Sequence, residues 1–347
     1  MIATYNRARV IRKTLKCLAD QTLDPAAFEV VLVDDGSPDD TESVVCAMKP
    51  YLPFAFQDLK HPNRGIGYTE NRGIRAAKAP LICLIADDIH FTPKALEAHL
   101  EIHKDNPEEQ VAVLGKVIQD SGNEPTVFLK KWDPFRFREL SGLRDLPYYL
   151  FWTCNVSAKK SFLLKAGLVN EKLTAGGAYA HEDVEFGYRL WKNGLVLRFS
   201  EEALAFHHHI VSLEQALRKA QLGGRKWVDF RRTVDMPELT VRYHVLSPPF
   251  LKDYVTTFRQ ERNNLLGSDR NPAQLFLLQL LRVTAFNRMT VPAFWLPLLN
   301  LAEKSPTLAR LMNRTFYRCT VSHFFHKGVW NACSEGRSAC LQGLSQK

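Results

Sequence analysis

Residues 81–91 read LICLIADDIHF, and the fold turns on this stretch. Six consecutive residues without a charge, and without the alternation of a half-exposed strand, mark a strand covered on both faces, as in a parallel sheet. It ends in two adjacent carboxylates, Asp87 and Asp88. A second stretch repeats the plan: residues 29–37, EVVLVDDGS, give a buried strand that runs into Asp34 and Asp35. Helix-like segments separate the apolar runs, and Thr92-Pro93 predicts a helix start, with threonine as cap and proline in the first turn. Strand, acidic turn and helix define an α/β class with a mostly parallel sheet, in which ligands bind outside the carboxyl ends of the strands. Two carboxylate pairs on one such edge repel each other unless a cation or a hydrogen-bonding ligand compensates them. A divalent metal with a nucleotide meets that need. Asp34-Asp35-Gly36-Ser37-Pro38 also has the composition of an ordinary turn, and taken alone both readings stand.

Two further elements add titratable groups. In HEDVEFGYRL, residues 181–190, Val184, Tyr188 and then Trp191 fall at helical spacing behind the glycine pair Gly176-Gly177. Glu182 and Asp183 lie in the first turn, where carboxylates suit the helix dipole, so capping is the alternative to chemistry. Residues 203–209, ALAFHHH, predict a late strand that ends in three imidazoles. Alternation puts His207 and His209 on one side and His208 on the other. Packing seldom needs three consecutive histidines at a strand end.

In order along the chain, ATYNR, VVLVDDGSPDDT, NRGIGYTENRGI, IADDI, CNVSAKKSFLLKAGLVNEKL, GGAYAHEDVEFGYRL and AFH resemble the segments of family 2 glycosyltransferases with the GT-A fold. The resemblance covers about residues 1–210. It implies a Rossmann-like, mostly parallel central sheet flanked by helices, and transfer of a sugar from a nucleotide-sugar donor to a glycan, lipid-linked or other acceptor hydroxyl, with inversion. Carried onto this sequence, it implies that Thr4, Tyr5 and Asp35 contact the nucleobase and that Arg64 lies in the segment beside the nucleoside. Asp87 would lie near the ribose or diphosphate and Asn155 near the sugars. Asp88 would ligate Mn²⁺ or Mg²⁺, with His207 completing the site; whether His207 or His209 does so is open. Asp183 would be the general base, and Glu182 would orient the acceptor or share that role. The chemistry is coherent, since a hard divalent ion offsets charge on a departing nucleotide while a carboxylate removes the acceptor proton. Two departures stand out. Only Met1, Ile2 and Ala3 precede Thr4, which predicts a short first strand, and Ala86 stands where many relatives carry another Asp.

The remainder of the chain differs in charge. Residues 1–210 carry 26 Lys and Arg against 28 Asp and Glu, whereas residues 211–347 carry 20 against 9, so the excess of +9 belongs to the C-terminal part. The expected division is a GT-A domain over 1–212 and a basic, mainly helical region over 213–347. Its basicity points to a polyanionic partner, peripheral contact with an anionic membrane above all, or to a solvated face. No nucleic-acid module is recognisable. Ser212 predicts a capped helix, and Gly223-Gly224 is read as interrupting it. Leu275–Leu281 and Phe294–Leu301 are apolar, but the greasy stretch around them is broken by charges and prolines and makes a poor spanning helix. Seven cysteines without a C-x-x-C pair, together with early charges that exclude a signal-peptide core, predict a cytoplasmic protein that reaches the membrane, if at all, from its inner face. A nucleotidyltransferase is the alternative enzyme, although Tyr5-Asn6-Arg7 is no glycine-rich loop. A degenerate nucleotide-sugar-binding module is the non-enzymatic alternative.

Overall fold

A computed structural model of the 347-residue chain describes residues 1–120, 126–131, 137–140, 142–174, 181–208, 211–234 and 285–335. The chain forms two compact units, Met1–Gly122 with Phe135–His209, and Asn123–Pro134 with Ile210–Lys347. The second unit thus takes in a segment that the sequence reading assigned to the first. Phe128 of the short helix Val127–Lys131 accounts for this, because its ring packs 5.8 Å from that of Tyr317 within an apolar cluster of the C-terminal unit.

The first unit is built on a mixed sheet. Its strands are β1 (Ile2–Thr4), β2 (Glu29–Asp34), β3 (Ala55–Lys60), β4 (Leu81–Ala86), β5 (Ile89–Phe91), β6 (Val111–Gln119), β7 (Asp145–Leu146), β8 (Asn155–Lys159) and β9 (Val196–His207). They lie in the order β3-β2-β1-β4-β8-β6-β9-β5, with β7 also on β9. The first four are mutually parallel, so the acidic turns after β2 and β4 leave the sheet at the same edge as Thr4 at the end of β1. β8 enters antiparallel, β6 and β9 run parallel to each other, and β5 returns antiparallel along β9. Ile2, Val31, Leu32, Val33 and Leu84 are almost wholly buried, as strands covered on both faces require.

Helices α1 (Ala8–Ala19), α2 (Thr41–Met48), α3 (Ile66–Ala76) and α4 (Ala95–Asp105) follow the first strands and cover the sheet, and the later helices are α5 (Val127–Lys131), α6 (Lys160–Lys165), α7 (Glu171–Thr174), α8 (Glu182–Lys192) and α9 (Leu213–Thr233). The predicted start at Thr92-Pro93 is displaced: the first helical residue of α4 is Ala95, because Pro93 and Lys94 form a turn in which Ala95 N–H donates to Thr92 O. The acidic loop 34–41 is wired to its neighbours. Asp34 Oδ1 accepts from Ser37 N, Asp39 accepts from Ala8 N at the start of α1, and Asp35 accepts from Arg64 N and Gly65 N at the start of α3. Gly36 makes this possible. Its φ is +76°, and a Cβ there would lie 2.9 Å from both Asn63 N and His61 O.

In the C-terminal unit, α9 (Leu213–Thr233) opens with a full capping box, in which Ser212 Oγ accepts from Gln215 N and Gln215 Oε1 accepts from Ser212 N. Gly223-Gly224 does not interrupt it, contrary to the sequence reading. The helix runs through because it crosses the helix Arg314–Glu335 at backbone distance: a Cβ on Gly224 would lie 1.9 Å from Phe325 O, and one on Gly328 would lie 1.8 Å from Gln221 O. Phe294–Leu301 contributes Leu299 to the unit's core, while Leu275–Leu281 lies outside the described residues. Among the described residues, no helix is long and apolar enough to cross a membrane.

Candidate active site

The carboxyl edge of the parallel strands gathers Thr4, Asp35, Asp87 and Asp88. Thr4 Oγ1 donates to Asp87 Oδ2 at 2.8 Å, and Thr14 Oγ1 donates to the Asp87 carbonyl at 2.6 Å, so the Asp87-Asp88 turn is held from two elements. Arg7, which the sequence reading passed over, bridges the pair, with Nε 3.3 Å from Asp87 Oδ1 and Nη2 3.7 Å from Asp88 Oδ2. Burial still dominates at Asp87. Its carboxyl is pushed up to about 7, with Arg7 opposing the shift and Asp88 adding to it. At Asp87, the guanidinium does not offset the burial.

His207, the last residue of β9, faces the same pair. Its Nε2 lies 3.5 Å from Asp88 Oδ1, and its Nδ1 lies 2.8 Å from Gln119 Oε1. The Gln119 amide orientation is set by its nitrogen, which donates to the carbonyls of Asp120 and His207, so Oε1 is the acceptor and His207 Nδ1 carries the proton. In the neutral imidazole, Nε2 is then a lone pair pointed at a carboxylate oxygen. A histidine whose far nitrogen donates to a side-chain oxygen, with its near nitrogen beside a carboxylate, has the usual orientation of a metal ligand. The residues present therefore fit a divalent ion between Asp88 and His207.

A second cluster lies at the start of α8 (Glu182–Lys192). Asp183 Oδ1 accepts from Thr153 Oγ1 at 3.0 Å, and its carboxyl is pushed up to about 8, by burial first and then by Glu182. Glu70 on α3 joins them. It is 5% exposed and its Oε2 has no partner among the described residues, and burial followed by the charges of Asp183 and Glu182 holds it well above the ordinary carboxylate range. The signal for Glu70 was present in the sequence, since it shares the face of Ile66, Thr69, Gly73 and Ile74 at helical spacing. Thr153 left no such signal. The Cys154 thiol, next in the chain, is raised by burial and then by the charges of Asp183 and of Asp88, so both carboxylate groups act on one buried point.

The other expected residues separate. Tyr5 is 45% exposed beside the edge, and Arg64 lies in the open with its guanidinium 3.9 Å over the Tyr68 ring. Asn155 is not brought to the edge as an open side chain. It is 0% exposed, its Oδ1 meets His99 Nε2 at 2.8 Å, and its Nδ2 donates to Ala203 O at 2.9 Å. His209 and Gly176-Gly177 lie outside the described residues.

A sequence model for the family described as "Glycosyl transferase family 2" matches residues 1–163. Chondroitin synthase from Escherichia coli is 28% identical over 238 residues, 60% of this chain and 34% of that protein. A validoxylamine A glucosyltransferase from Streptomyces hygroscopicus subsp. limoneus is 29% identical over 228 residues, 58% of this chain and 49% of that protein. The chain thus matches about a third to a half of the length of these relatives. Among solved structures, a mannosyltransferase from Pyrobaculum calidifontis in complex with GDP-Man and Mn²⁺ aligns with a TM-score of 0.55 at 16% identity, over 95% of this chain and 86% of that one. S. aureus TarS in complex with UDP aligns at 0.51 and 16% identity, over 98% and 91%. At these identities the structural likeness establishes the fold alone.

Proposed function

Through residues 1–163 the chain belongs to glycosyltransferase family 2, with a GT-A fold, and on that premise we propose that it moves a sugar from a nucleotide-sugar donor to an acceptor hydroxyl by a metal-dependent, inverting displacement. The observation that carries this reading is the Asp88 carboxylate 3.5 Å from Nε2 of His207, whose Nδ1 is held by Gln119, the orientation of a carboxylate–imidazole pair that would ligate a divalent ion. Asp88 and His207 would hold Mn²⁺ or Mg²⁺, and imidazole favours Mn²⁺. When bound, the ion supplies Lewis-acid stabilisation of the diphosphate leaving group. Asp87, tied to Thr4 and Arg7, orients the donor's ribose or diphosphate, while Thr4, Tyr5 and Asp35 form the nucleobase side and Arg64 stacks beside it. Asp183 is the general base. A carboxyl pushed up to about 8 has the proton affinity to take a hydroxyl proton, and the Thr153 hydroxyl fixes its orientation. The charge of Glu182 raises that affinity further.

A glycan or lipid-linked acceptor fits the family. The basic C-terminal part would rest on an anionic membrane, and the protein would then work at the cytoplasmic face. No nucleic-acid partner is proposed. Calorimetry with Mn²⁺ and a panel of nucleoside diphosphates tests the donor site: Asp88→Ala is expected to abolish metal-dependent nucleotide binding, and His207→Ala to weaken it. Unchanged binding in Asp88→Ala would remove the metal from this edge.

A further inference from the structure

A second constellation lies where β5, β6 and β9 come together. His90 sits on β5, Asp120 follows the last residue of β6, and His208 follows the last residue of β9. Each offers a ligand atom, and these atoms all lie within 4.8 Å of one another. The backbone fixes the frame, since Asp120 N–H donates to His207 O at 2.9 Å and His208 N–H donates to Asp88 O at 2.8 Å. The two imidazole centroids are 5.2 Å apart, and His208 Nδ1 lies 2.9 Å from Asp120 Oδ2.

His90 is the residue that packing does not explain. It is 4% exposed, and neither ring nitrogen has a hydrogen-bond partner among the described residues. A buried imidazole needs a partner at one nitrogen at least, because its desolvation is otherwise uncompensated. We propose that His90, Asp120 and His208 form a second metal site, distinct from the Asp88–His207 pair, that takes a borderline transition-metal ion of the Zn²⁺ class. Two imidazoles and one carboxylate are a common three-ligand set for such an ion and leave one coordination position for water. With metal–ligand bonds of about 2.0–2.2 Å, tetrahedral donors lie roughly 3.3 Å apart, so the three side chains close in by rotation when the ion enters.

The surroundings agree in sign. Asp120 and Asp88 both lie close enough to His90 to act on it electrostatically. Lys13 opposes a cation at this point, and the charges of Asp120 and Asp88 favour one. The ion would tie three neighbouring points of the sheet, two of which adjoin Asp88 and His207 in sequence or through a backbone hydrogen bond. The site therefore positions the donor-site edge without entering it, and the inference does not depend on the proposed activity.

The test uses the full chain, stripped of metal and titrated with Co²⁺ alone, without nucleotide, and read by the visible absorption of Co²⁺ in a low-symmetry nitrogen–oxygen site. Wild type and Asp88→Asn are expected to take up one equivalent with the same spectrum. Asp120→Asn, at a half-exposed position that spares the fold, is expected to bind about tenfold more weakly or worse, and His90→Ala to lose the band. Circular dichroism confirms that each variant is folded; if His90→Ala is not, Asp120→Asn and His208→Gln decide. Absence of the band in wild type, or its persistence in both His90→Ala and Asp120→Asn, overturns the site. Loss of the band in Asp88→Asn overturns it as well, because the ion would then belong to the donor edge. A protein that shows the band but fails to bind nucleotide with Mn²⁺ would refute the proposed function and leave this inference intact.

Discussion

As the proposed base, Asp183 would tie reactivity to pH in a way that separates catalysis from stability. Its carboxyl titrates near 8 in the folded chain against an ordinary value of 3.8, so between those values the folded state holds a proton that the unfolded state has released. Stability from this group is therefore fully present below about pH 4 and is lost as pH rises towards 8. Asp183→Asn removes that dependence, and its melting temperature relative to wild type is expected to climb between pH 5 and 8. Activity should move the other way. The free-enzyme profile of kcat/KM is expected to rise with an apparent pKa near 8, and Asp183→Asn to lower kcat by about 10²–10⁴-fold with donor affinity kept. If the rising limb survives in Asp183→Asn, the base lies elsewhere. Asn155 gives the opposite pattern. Its amide closes a buried network with His99, Ser157 and Ala203, and Gly115 is pressed against it, a Cβ there lying 2.3 Å from Nδ2. Asn155→Ala is expected to cost about 1–3 kcal/mol in denaturant unfolding, the penalty for stranding buried partners. Nucleotide affinity of the folded fraction should not change; a selective loss of affinity would return Asn155 to the donor site.

At the scale of elements, the crossing of α9 with the helix Arg314–Glu335 shows how two adjacent glycines come to hold different roles. A Cβ on Gly224 would collide with the Phe325 carbonyl, whereas one on Gly223 would have the Phe325 ring at 3.9 Å, ordinary contact. Gly223→Ala is expected to be neutral or to stabilise by up to about 1 kcal/mol through helix propensity. Gly224→Ala must push the helices apart and is expected to destabilise the C-terminal unit by about 1–3 kcal/mol, the usual scale of overpacking. Thermal melts of the two single variants test the crossing directly, and equal effects would refute it. A sequence alone presents Gly223-Gly224 as a breaker. The packed pair turns the same glycines into the reason the helices approach so closely.

Over the whole molecule, charge is the feature most visible without coordinates. The C-terminal part carries 20 Lys and Arg against 9 Asp and Glu. Each basic side chain near anionic lipid contributes about 1 kcal/mol, screened over a Debye length of about 10 Å at 0.1 M salt. The protein is therefore expected to sediment with phosphatidylserine vesicles at low salt, to be released at high salt, and to ignore neutral vesicles. Sedimentation that does not depend on lipid charge would assign the excess to a solvated surface, with a soluble acceptor as the corollary.

The sequence by itself determined the strands that end in acids, the capped α9 and the charge asymmetry, because these follow from local rules: unbroken apolar runs, one serine three residues before a glutamine, and counting. It also brought Asp87, Asp88, Asp183 and His207 forward, since acids and imidazoles at element ends are visible as such. What it could not determine was which of them meet. Arg7 spans Asp87 and Asp88 only because β1 and β4 are neighbours, Glu70 reaches the Asp183 cluster only because α3 and α8 bring their acidic residues together, and His90, Asp120 and His208 converge from strands more than a hundred residues apart at the extremes. Asn155 shows the converse. Its place in a motif suggested a ligand contact, but the packing of α4 and β9 around it fills its hydrogen bonds from within. Local pattern sets which groups stand at the ends of strands, and tertiary packing decides which of them are left facing a ligand.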